Sequence, residues 1–383
     1  MKTILKGGKI ITPDTTLENK SLIIMDRNII GIQSGDIDPS PGDRVIDARG
    51  YWISPGLIDV HVHGTMGFDT MDATPEALHT MGSFFAKHGV TSYLPTTMTE
   101  TPEAIMKSIT NVANCVQSDE AAQHLGVHVE GPYFNPDHKG AQPEYNLRDA
   151  DPSEYESWLD TGVVKLVSIA PERTGSIAFI DRGITGGVEF SVAHSGASYE
   201  QVIESANHGL RQATHTFNGM SGLHHRRPGT VGAVLTDDRI YAQVICDGVH
   251  VHPAVIDLIV RATGSHRTIL ITDAIRATGL ADGDYELGGE KIIVKEGISR
   301  TAAGSLAGST LTLDAAIRNM IAFTPLSFEE VLPMATSVPA KAMNWYGKKG
   351  VIRPGADADI TIFDQKLNVR LTMAAGRIIF QEL

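Results

Sequence analysis

The chain of 383 residues is 42% hydrophobic and 20% charged, and it carries a formal net charge of -13. Such a composition is typical of a globular protein with room for more than one domain. The acidic balance argues against nucleic acid or an anionic membrane as the main partner. No apolar run reaches the ~18 residues of a membrane span. Only Cys115 and Cys246 are present, which predicts a reducing cytoplasm, with a single disulfide as the alternative.

Both ends of the chain are predicted to consist of short β-strands separated by Gly, Pro, Asp and Asn turns. Because these ends enclose a middle of different character, they predict one small β domain, formed by residues 1–54 and 347–383. Residues 55–346 then form the main domain. The predicted terminal strands are 3–5, 9–12, 21–25, 29–32, 44–47, 360–363, 369–373 and 377–380.

The middle of the chain alternates apolar strands with helical stretches, the pattern of a parallel sheet covered by helices. Eight strands in this order favour an α/β fold with a closed (β/α)8 TIM-like barrel, and an open doubly wound sheet is the alternative. The predicted strands are 57–63, 92–96, 125–130, 163–170, 188–194, 212–215, 241–247 and 268–273. The predicted helices include 75–88, 102–116, 199–208, 253–263 and 311–322.

Metal-binding and acidic side chains recur where these strands end, which is where the chemistry of such barrels takes place. His61 and His63 lie two residues apart on a strand, so their imidazoles point to the same face. One carboxylate among four imidazoles suits Zn²⁺, Fe²⁺ or Mn²⁺ and leaves positions for water and substrate. For each residue alone, a structural role remains the alternative. The predicted ligands are His61, His63, Glu130, His194 and His215.

Three other polar residues near these strand ends have different predicted roles. Asp273 could take a proton from water and return it to a leaving group, with helix capping as the alternative. Asp247, followed by Gly248, is expected to shape a turn that positions His250. His128 lies one layer below Glu130 and is expected to be a hydrogen-bonded core residue rather than a ligand.

A basic segment, residues 224–229 (HHRRPG), stands out against the acidic background. Guanidinium, imidazole and backbone amide groups together favour an anion site, most naturally for phosphate, and a solvated loop is the alternative. The glycine-containing segment 304–309 could line the site with backbone groups.

Six segments together make the chain resemble the amidohydrolase superfamily and, within it, the N-acetylglucosamine-6-phosphate deacetylases. The first segment marks only the superfamily, and the others indicate the narrower family. The segments are PGLIDVHVHG at 55–64, HVEGP at 128–132, AHS at 193–195, THTFNGM at 214–220, DGVH at 247–250 and LITDA at 270–274.

The resemblance implies a β/α barrel with a small β-sandwich domain formed from both termini. The implied activity is hydrolysis of N-acetylglucosamine 6-phosphate to glucosamine 6-phosphate and acetate. It also implies a homodimer in which the basic loop reaches the neighbouring subunit. Glu130, His194 and His215 fall on the family's principal metal ligands, and Asp273 falls on its general acid/base. Implied substrate contacts are Ala141, Gln142, Asn218, Gly219, Arg226, His250, Leu306, Ala307 and Gly308.

Two departures within the family bear on these expectations. Some members lack the His-x-His pair and hold one metal, so the presence of His61 and His63 favours two, with Zn²⁺ first and Fe²⁺, Mn²⁺ or Co²⁺ as alternatives. Some members carry His at the position of Gln142. The neutral amide of Gln142 could still donate a hydrogen bond to the acetyl oxygen. The alternatives are a deacetylase for the galactosamine epimer, a cyclic-amide hydrolase, and a catalytically silent scaffold.

Overall fold

The computed structural model of this protein describes residues 2–35 and 37–383, and its centre is a curled parallel sheet. Six strands lie in it in chain order, each joined to the next by parallel pairing. Most of their residues are buried, as expected of strands covered on both faces. The strands are Val127–Glu130, Val164–Ile169, Glu189–Val192, Gln212–Ala213, Tyr241–Ile245 and Thr268–Ile271.

A three-stranded parallel sheet lies beside the first. It contains Leu57–Val62, Val90–Pro95 and the short strand Gln123–His124. Single parallel bridges join Val62 to Ala274 and Thr96 to His128. These bridges connect the small sheet with both edges of the six-stranded one. Strands occur at all eight predicted places.

Helices alternate with these strands and confirm the α/β class. The predicted helices all occur, and most begin at a Ser or Thr whose hydroxyl accepts a backbone N–H, such as Thr74, Thr101 and Ser198. The helices are Pro75–Lys87, Pro102–Asn114, Pro152–Asp160, Ser176–Thr185, Tyr199–Asn207, Gly229–Thr236, Pro253–Thr263, Leu313–Phe323, Phe328–Val331 and Ser337–Ala342. Short 3-10 turns are Thr70–Asp72, Pro136–His138, Glu144–Asn146 and Leu332–Ala335. None of the helices in the described part of the chain is long and apolar enough to span a membrane.

The two ends of the chain share sheets and an apolar core. One apolar cluster joins Leu5 and Ile53 with Ile362 and Met373. A four-stranded sheet has the order Asn28–Ser34, Lys20–Met25, Lys2–Lys6, Arg44–Asp47. A six-stranded sheet has the order Arg377–Gln381, Val369–Ala374, Ile360–Phe363, Trp52–Pro55, Lys9–Ile11, Thr16–Leu17. The predicted segment 1–54 includes Met1 and Asp36, which lie outside the described residues.

A buried ion cluster joins the C-terminal segment to the central part of the molecule. Lys349 is 8% exposed, and its Nζ lies 2.6 Å from Asp359 Oδ2 and 3.1 Å from Asp357 Oδ2. The same Nζ lies 3.4 Å from Oε1 of Gln123, next to the strand Val90–Pro95. The second oxygen of Asp359 accepts the N–H of Ala375 at 2.7 Å. The charges and hydrogen bonds of this cluster are therefore supplied within the chain.

A three-stranded antiparallel sheet that the sequence reading did not anticipate lies between the last parallel strand and helix Leu313–Phe323. Its strands are Gly283–Leu287, Glu290–Lys295 and Ile298–Thr301. The first turn is Gly288-Gly289, both with positive φ, as a tight hairpin requires. Its apolar face packs with Met98, Ile275 and Ala307, which places this sheet against the carboxyl ends of the parallel strands.

Candidate active site

A cavity of about 250 Å³ opens where the parallel strands end. Residues at or just after the ends of the parallel strands form its base, and most of the remaining wall comes from loops. Its lining includes His63, Met98, Glu130, Ala141, Gln142, His194, His215, Asn218, Gly219, Ile245, His250, Asp273, Leu287, Leu306 and Gly308. The structure therefore brings together most of the residues that the sequence singled out.

Glu130 lies at the centre of one cluster at the base of the cavity. Its Oε1 is 3.1 Å from His215 Nε2 and 3.4 Å from His194 Nε2. All three side chains are nearly inaccessible to solvent. Their ligand atoms are close enough together to hold one metal ion.

His61, His63 and Asp273 form a second cluster of the same kind. Asp273 Oδ1 lies 3.2 Å from His63 Nε2 and 3.4 Å from His61 Nε2. Glu130 connects the two clusters, because its Oε2 is 3.2 Å from His63 Nε2. His61 is completely buried beneath the cavity floor and does not line it.

Backbone carbonyl groups fix the orientation of three of these imidazoles. The Nδ1 atoms of His63, His194 and His215 face carbonyl oxygens at 3.2, 2.9 and 3.2 Å. A carbonyl oxygen only accepts, so each Nδ1 carries the proton and donates it. In the neutral ring the Nε2 lone pair then points into the cluster, which is the arrangement found around protein-bound metals.

This donor set fits a cation. Lone pairs of Nε2 atoms and carboxylate oxygens converge at 3.1 to 3.4 Å, where they repel one another unless a positive charge lies between them. In addition, Nδ1 of His61 and Oδ1 of Asp273 are buried without a hydrogen-bond partner. Such orphaned buried atoms call for a counter-charge or a ligand. Imidazole nitrogens with carboxylate oxygens are ligands that divalent transition metals accept.

The close approach of imidazoles and carboxylates also shifts the pKa values of His63, Glu130 and Asp273. Burial disfavours the charged imidazole, yet the adjacent carboxylates of Asp273 and Glu130 raise the pKa of His63 well above its usual value. Burial also disfavours the carboxylates, but the surrounding imidazoles lower the pKa of Glu130 and of Asp273. The carboxylates are thus ionised at neutral pH and stabilise positive charge at this position.

Three residues of the two clusters have left-handed backbone conformations that residues other than glycine rarely adopt. The φ angles are 44° at His194, 32° at His215 and 52° at Asp273. Such conformations cost on the order of 1–3 kcal/mol each and persist where the surroundings enforce them. Each of them turns the chain sharply at a strand end, so the side chain enters the cavity instead of continuing the alternation of the strand.

Two buried residues support the clusters from below. His128 is fully buried and bonds Thr96 Oγ1 at 3.3 Å and Ser168 Oγ at 2.7 Å, as expected of a core histidine. Asp59, which sequence reasoning missed, accepts the hydroxyl of Thr272 at 2.6 Å. Burial raises the pKa of Asp59 to about 7. Its position two residues before His61, on the same strand face, was the available signal.

Asp247 shapes the turn that carries His250. Its Oδ1 accepts the backbone N–H groups of Val249 and His250, both at 2.8 Å. Its Oδ2 lies 2.6 Å from Nδ1 of His250, so the other ring nitrogen is free to face the cavity that His250 lines. The expected role of Asp247 as a turn residue therefore agrees with the structure.

Two of the expected substrate contacts lie outside this cavity. Ala307 is fully buried in the core of the three-stranded antiparallel sheet, although its neighbours Leu306 and Gly308 line the cavity. Arg226 is exposed and lines a different cavity of about 570 Å³, together with Arg227. Within one chain, the basic loop therefore does not reach the two clusters.

Residues 52–379 match the family model described as "Amidohydrolase family". An N-acetylgalactosamine-6-phosphate deacetylase of Escherichia coli O157:H7 is 36% identical over 99% of both chains. An N-acetylglucosamine-6-phosphate deacetylase of Vibrio furnissii is 40% identical over 86% of this chain and 83% of its own. The crystal structure of N-acetylglucosamine-6-phosphate deacetylase from Pasteurella multocida has a TM-score of 0.94 at 29% identity and covers 99% of both chains.

The chain belongs to the amidohydrolase family, which the match over most of its length shows. Within that family, relatives that match 86% or more of this chain are named as deacetylases of amino-sugar phosphates. The predicted resemblance to the N-acetylglucosamine-6-phosphate deacetylases is confirmed.

Proposed function

We propose that this protein hydrolyses the acetamide of N-acetylglucosamine 6-phosphate, giving glucosamine 6-phosphate and acetate. The observation that carries the proposal is the convergence of Glu130, Asp273 and four imidazoles at the base of one cavity, with the names of the relatives supplying the substrate. The arrangement contains an ionised carboxylate, Asp273, beside a site suited to a divalent cation. These are the parts that amide hydrolysis by water requires.

The metal is proposed to be Zn²⁺, with Fe²⁺, Mn²⁺ and Co²⁺ as alternatives, and to number one or two per chain. Glu130, His194 and His215 would hold one ion, and His61, His63 and Asp273 would contribute to a second position. A bound divalent cation lowers the pKa of water and polarises a carbonyl oxygen. The three carbonyl-anchored imidazoles keep their Nε2 atoms directed at these positions before any ion arrives.

Asp273 is proposed to move the proton in both halves of the reaction. As water adds to the acetyl carbon, Oδ1 of Asp273 accepts the proton that the water loses. When the C–N bond breaks, Asp273 returns that proton to the departing nitrogen, so the carboxylate is regenerated. Its lowered pKa favours the ionised form that the first half needs.

Recognition of the sugar phosphate is proposed to come from the cavity wall opposite Glu130. Asn218, Gly219, His250, Leu306 and Gly308 line the cavity and offer amide, imidazole and backbone groups to hydroxyl and phosphate oxygens. Arg226 is proposed to reach the phosphate of the neighbouring subunit in a homodimer. Its exposed position, away from the cavity of its own chain, supports that arrangement.

The finer fold assignment is proposed together with the function. The eight parallel strands are proposed to form a closed (β/α)8 barrel within residues 55–346, because single bridges join the small parallel sheet to both edges of the large one. The described residues up to 54 and residues 347–383 are proposed to form a small β-sandwich domain. Strand Trp52–Pro55 crosses the predicted boundary between them. A cytoplasmic enzyme is proposed as well, in keeping with the unpaired thiols of Cys115 and Cys246.

One observation favours a second candidate substrate, N-acetylgalactosamine 6-phosphate. The relative from Escherichia coli that matches the whole chain is named for that activity. The two substrates differ only in the configuration of one hydroxyl group, and the residues named above do not distinguish it.

The test measures acetate release by the purified protein loaded with Zn²⁺. The panel consists of N-acetylglucosamine 6-phosphate, its galactosamine epimer, unphosphorylated N-acetylglucosamine and a cyclic amide. We expect the glucosamine phosphate to give the highest kcat/KM and the unphosphorylated sugar a much lower one. Preference for the galactosamine epimer would establish the second candidate. Turnover of the cyclic amide alone, or of no member of the panel, would overturn the deacetylase proposal.

A further inference from the structure

The amide group of Gln142 has a fixed orientation at the edge of the cavity. Its Oε1 accepts the backbone N–H of Thr99 at 2.9 Å, so the oxygen cannot point toward the clusters. Its Nε2 donates to Oε2 of Glu130, also at 2.9 Å. Gln142 is only 3% exposed, and exchanging the two ends of its amide would place oxygen against carboxylate and N–H against N–H.

The hydrogen bond from Gln142 controls how Glu130 presents its two oxygens. Oε1 of Glu130 faces His194 and His215, whereas Oε2 faces His63 and the amide of Gln142. Rotation of the carboxylate would break the bond to Gln142 and uncouple the two clusters. The remaining N–H of Gln142 faces the thioether of Met98 at 3.8 Å, which is a weak acceptor.

We infer that Gln142 is a positioning residue that holds Glu130 in the orientation able to serve both metal positions. This differs from the role suggested by the family resemblance, a hydrogen bond to the acetyl oxygen of the substrate. The inference concerns metal binding and rests on the proposed metal centre, not on the identity of the substrate. Partners that orient metal-binding side chains typically contribute 10–100-fold to metal affinity.

The test compares the Zn²⁺ affinity of three variants with that of the unaltered protein, by competition with a chromogenic chelator and without substrate. Gln142→Leu keeps the size of the side chain and removes the donor, so we expect about 10–100-fold weaker binding. Gln142→His restores a ring N–H donor and should recover part of this loss. Met98→Leu, at a neighbour whose thioether faces the other N–H of Gln142, is the matched control and should bind Zn²⁺ within about threefold of the original.

Activity then separates the two roles of Gln142. If the residue acts through Glu130, excess Zn²⁺ should return the kcat of Gln142→Leu to within a few-fold of the original. If it stabilises the acetyl oxygen, Zn²⁺ affinity stays unchanged and excess metal does not restore kcat. The second result would overturn the inference and leave the proposed deacetylase function intact. Failure of the unaltered protein to bind Zn²⁺ would instead overturn the metal centre itself.

Discussion

Two buried charged clusters of this molecule differ in how their charges are balanced. Around Lys349 an ammonium group lies between two carboxylates, and a backbone N–H supplies the remaining bond. In the cavity, Glu130 and Asp273 face four imidazoles, and three of these have their donating nitrogen turned toward a backbone carbonyl. The first cluster is complete within the chain, whereas the second needs a cation from outside. Buried charge alone therefore does not indicate a ligand-binding site. Such a site is indicated when the N–H donors around buried carboxylates point away from them.

The backbone φ angles of the charged and metal-binding residues also differ between the two clusters. His194, His215 and Asp273 have positive φ angles, and neither Lys349 nor Asp359 does. Positive φ angles thus occur at three residues of the cavity clusters that offer metal-binding atoms, whereas beside Lys349 and Asp359 the positive φ of 46° belongs to Ala375, which contributes only a backbone N–H. The comparison predicts that substitutions in the cavity reduce catalysis and metal binding, while substitutions at Lys349 reduce stability.

The largest effect is expected for Asp273→Asn. Because general acid/base catalysis typically contributes about 10²–10⁴-fold, we expect kcat to fall by that factor while the fold and the metal at the Glu130, His194 and His215 position are retained. Steady-state assays of acetate release measure kcat, and metal analysis of the same sample measures the bound metal. An activity within a few-fold of the original would show that another residue moves the proton.

His61 should also differ from His194 and His215. Nδ1 of both His194 and His215 is anchored to a carbonyl, whereas Nδ1 of His61 has no hydrogen-bond partner. We therefore expect His194→Asn or His215→Asn to lose most of the bound metal and activity. His61→Asn should lose less, and metal analysis after dialysis measures the difference. Equal losses in all three variants would mean that the two clusters act as one site.

At the other cluster, Lys349→Met should destabilise the protein by about 3–5 kcal/mol, since it leaves two carboxylates without their buried partner. The measurement is chemical denaturation, with Lys107→Met as a control on an exposed helix surface. The control should stay within about 0.5 kcal/mol of the original. Per folded molecule, Lys349→Met should retain its kcat. A variant of normal stability would contradict the assignment of this cluster to folding.

The smallest effect is expected for Arg226, an exposed residue that belongs to neither cluster. Losing a charge-assisted contact costs about 1.5–3 kcal/mol, so Arg226→Ala should lower kcat/KM about 10- to 150-fold with the phosphorylated sugar only. Arg227→Ala is the matched variant and should leave the preference for phosphate largely intact. Both are assayed on N-acetylglucosamine with and without the 6-phosphate. If neither changes the preference, the loop does not bind phosphate.

Much of the central fold could be predicted from the sequence. The strands are continuous apolar runs, and the parallel arrangement brings their polar ends to one side of the sheet. Glu130, His194 and Asp273 were recognisable because each interrupts such a run at its end. The terminal strands were recognisable from alternating apolar residues and Gly or Pro turns, even though their partners lie hundreds of residues away.

Other features depend on contacts that no local pattern records. The sheet formed by residues 283–301 has partly exposed strands, and its local signals were the Gly288-Gly289 turn and the β-branched residues 292–294. The orientation of the Gln142 amide depends on the N–H of Thr99, which belongs to a different loop. The separation of Arg226 from the cavity is likewise a property of the folded chain and not of the segment that contains it.

The sheet shared by the two ends of the chain has a consequence for the protein during its synthesis. Trp52–Pro55 pairs with Lys9–Ile11 on one side and with Ile360–Phe363 on the other. At about 5–20 residues per second, a ribosome needs roughly 15–60 s to make the residues between Trp52–Pro55 and Ile360–Phe363. During that interval one edge of Trp52–Pro55 lacks its strand partner and is open to pairing with other nascent chains. Slow elongation on crowded ribosomes should therefore favour aggregation of this protein, whereas supplying residues 360–383 early, by circular permutation, should suppress it.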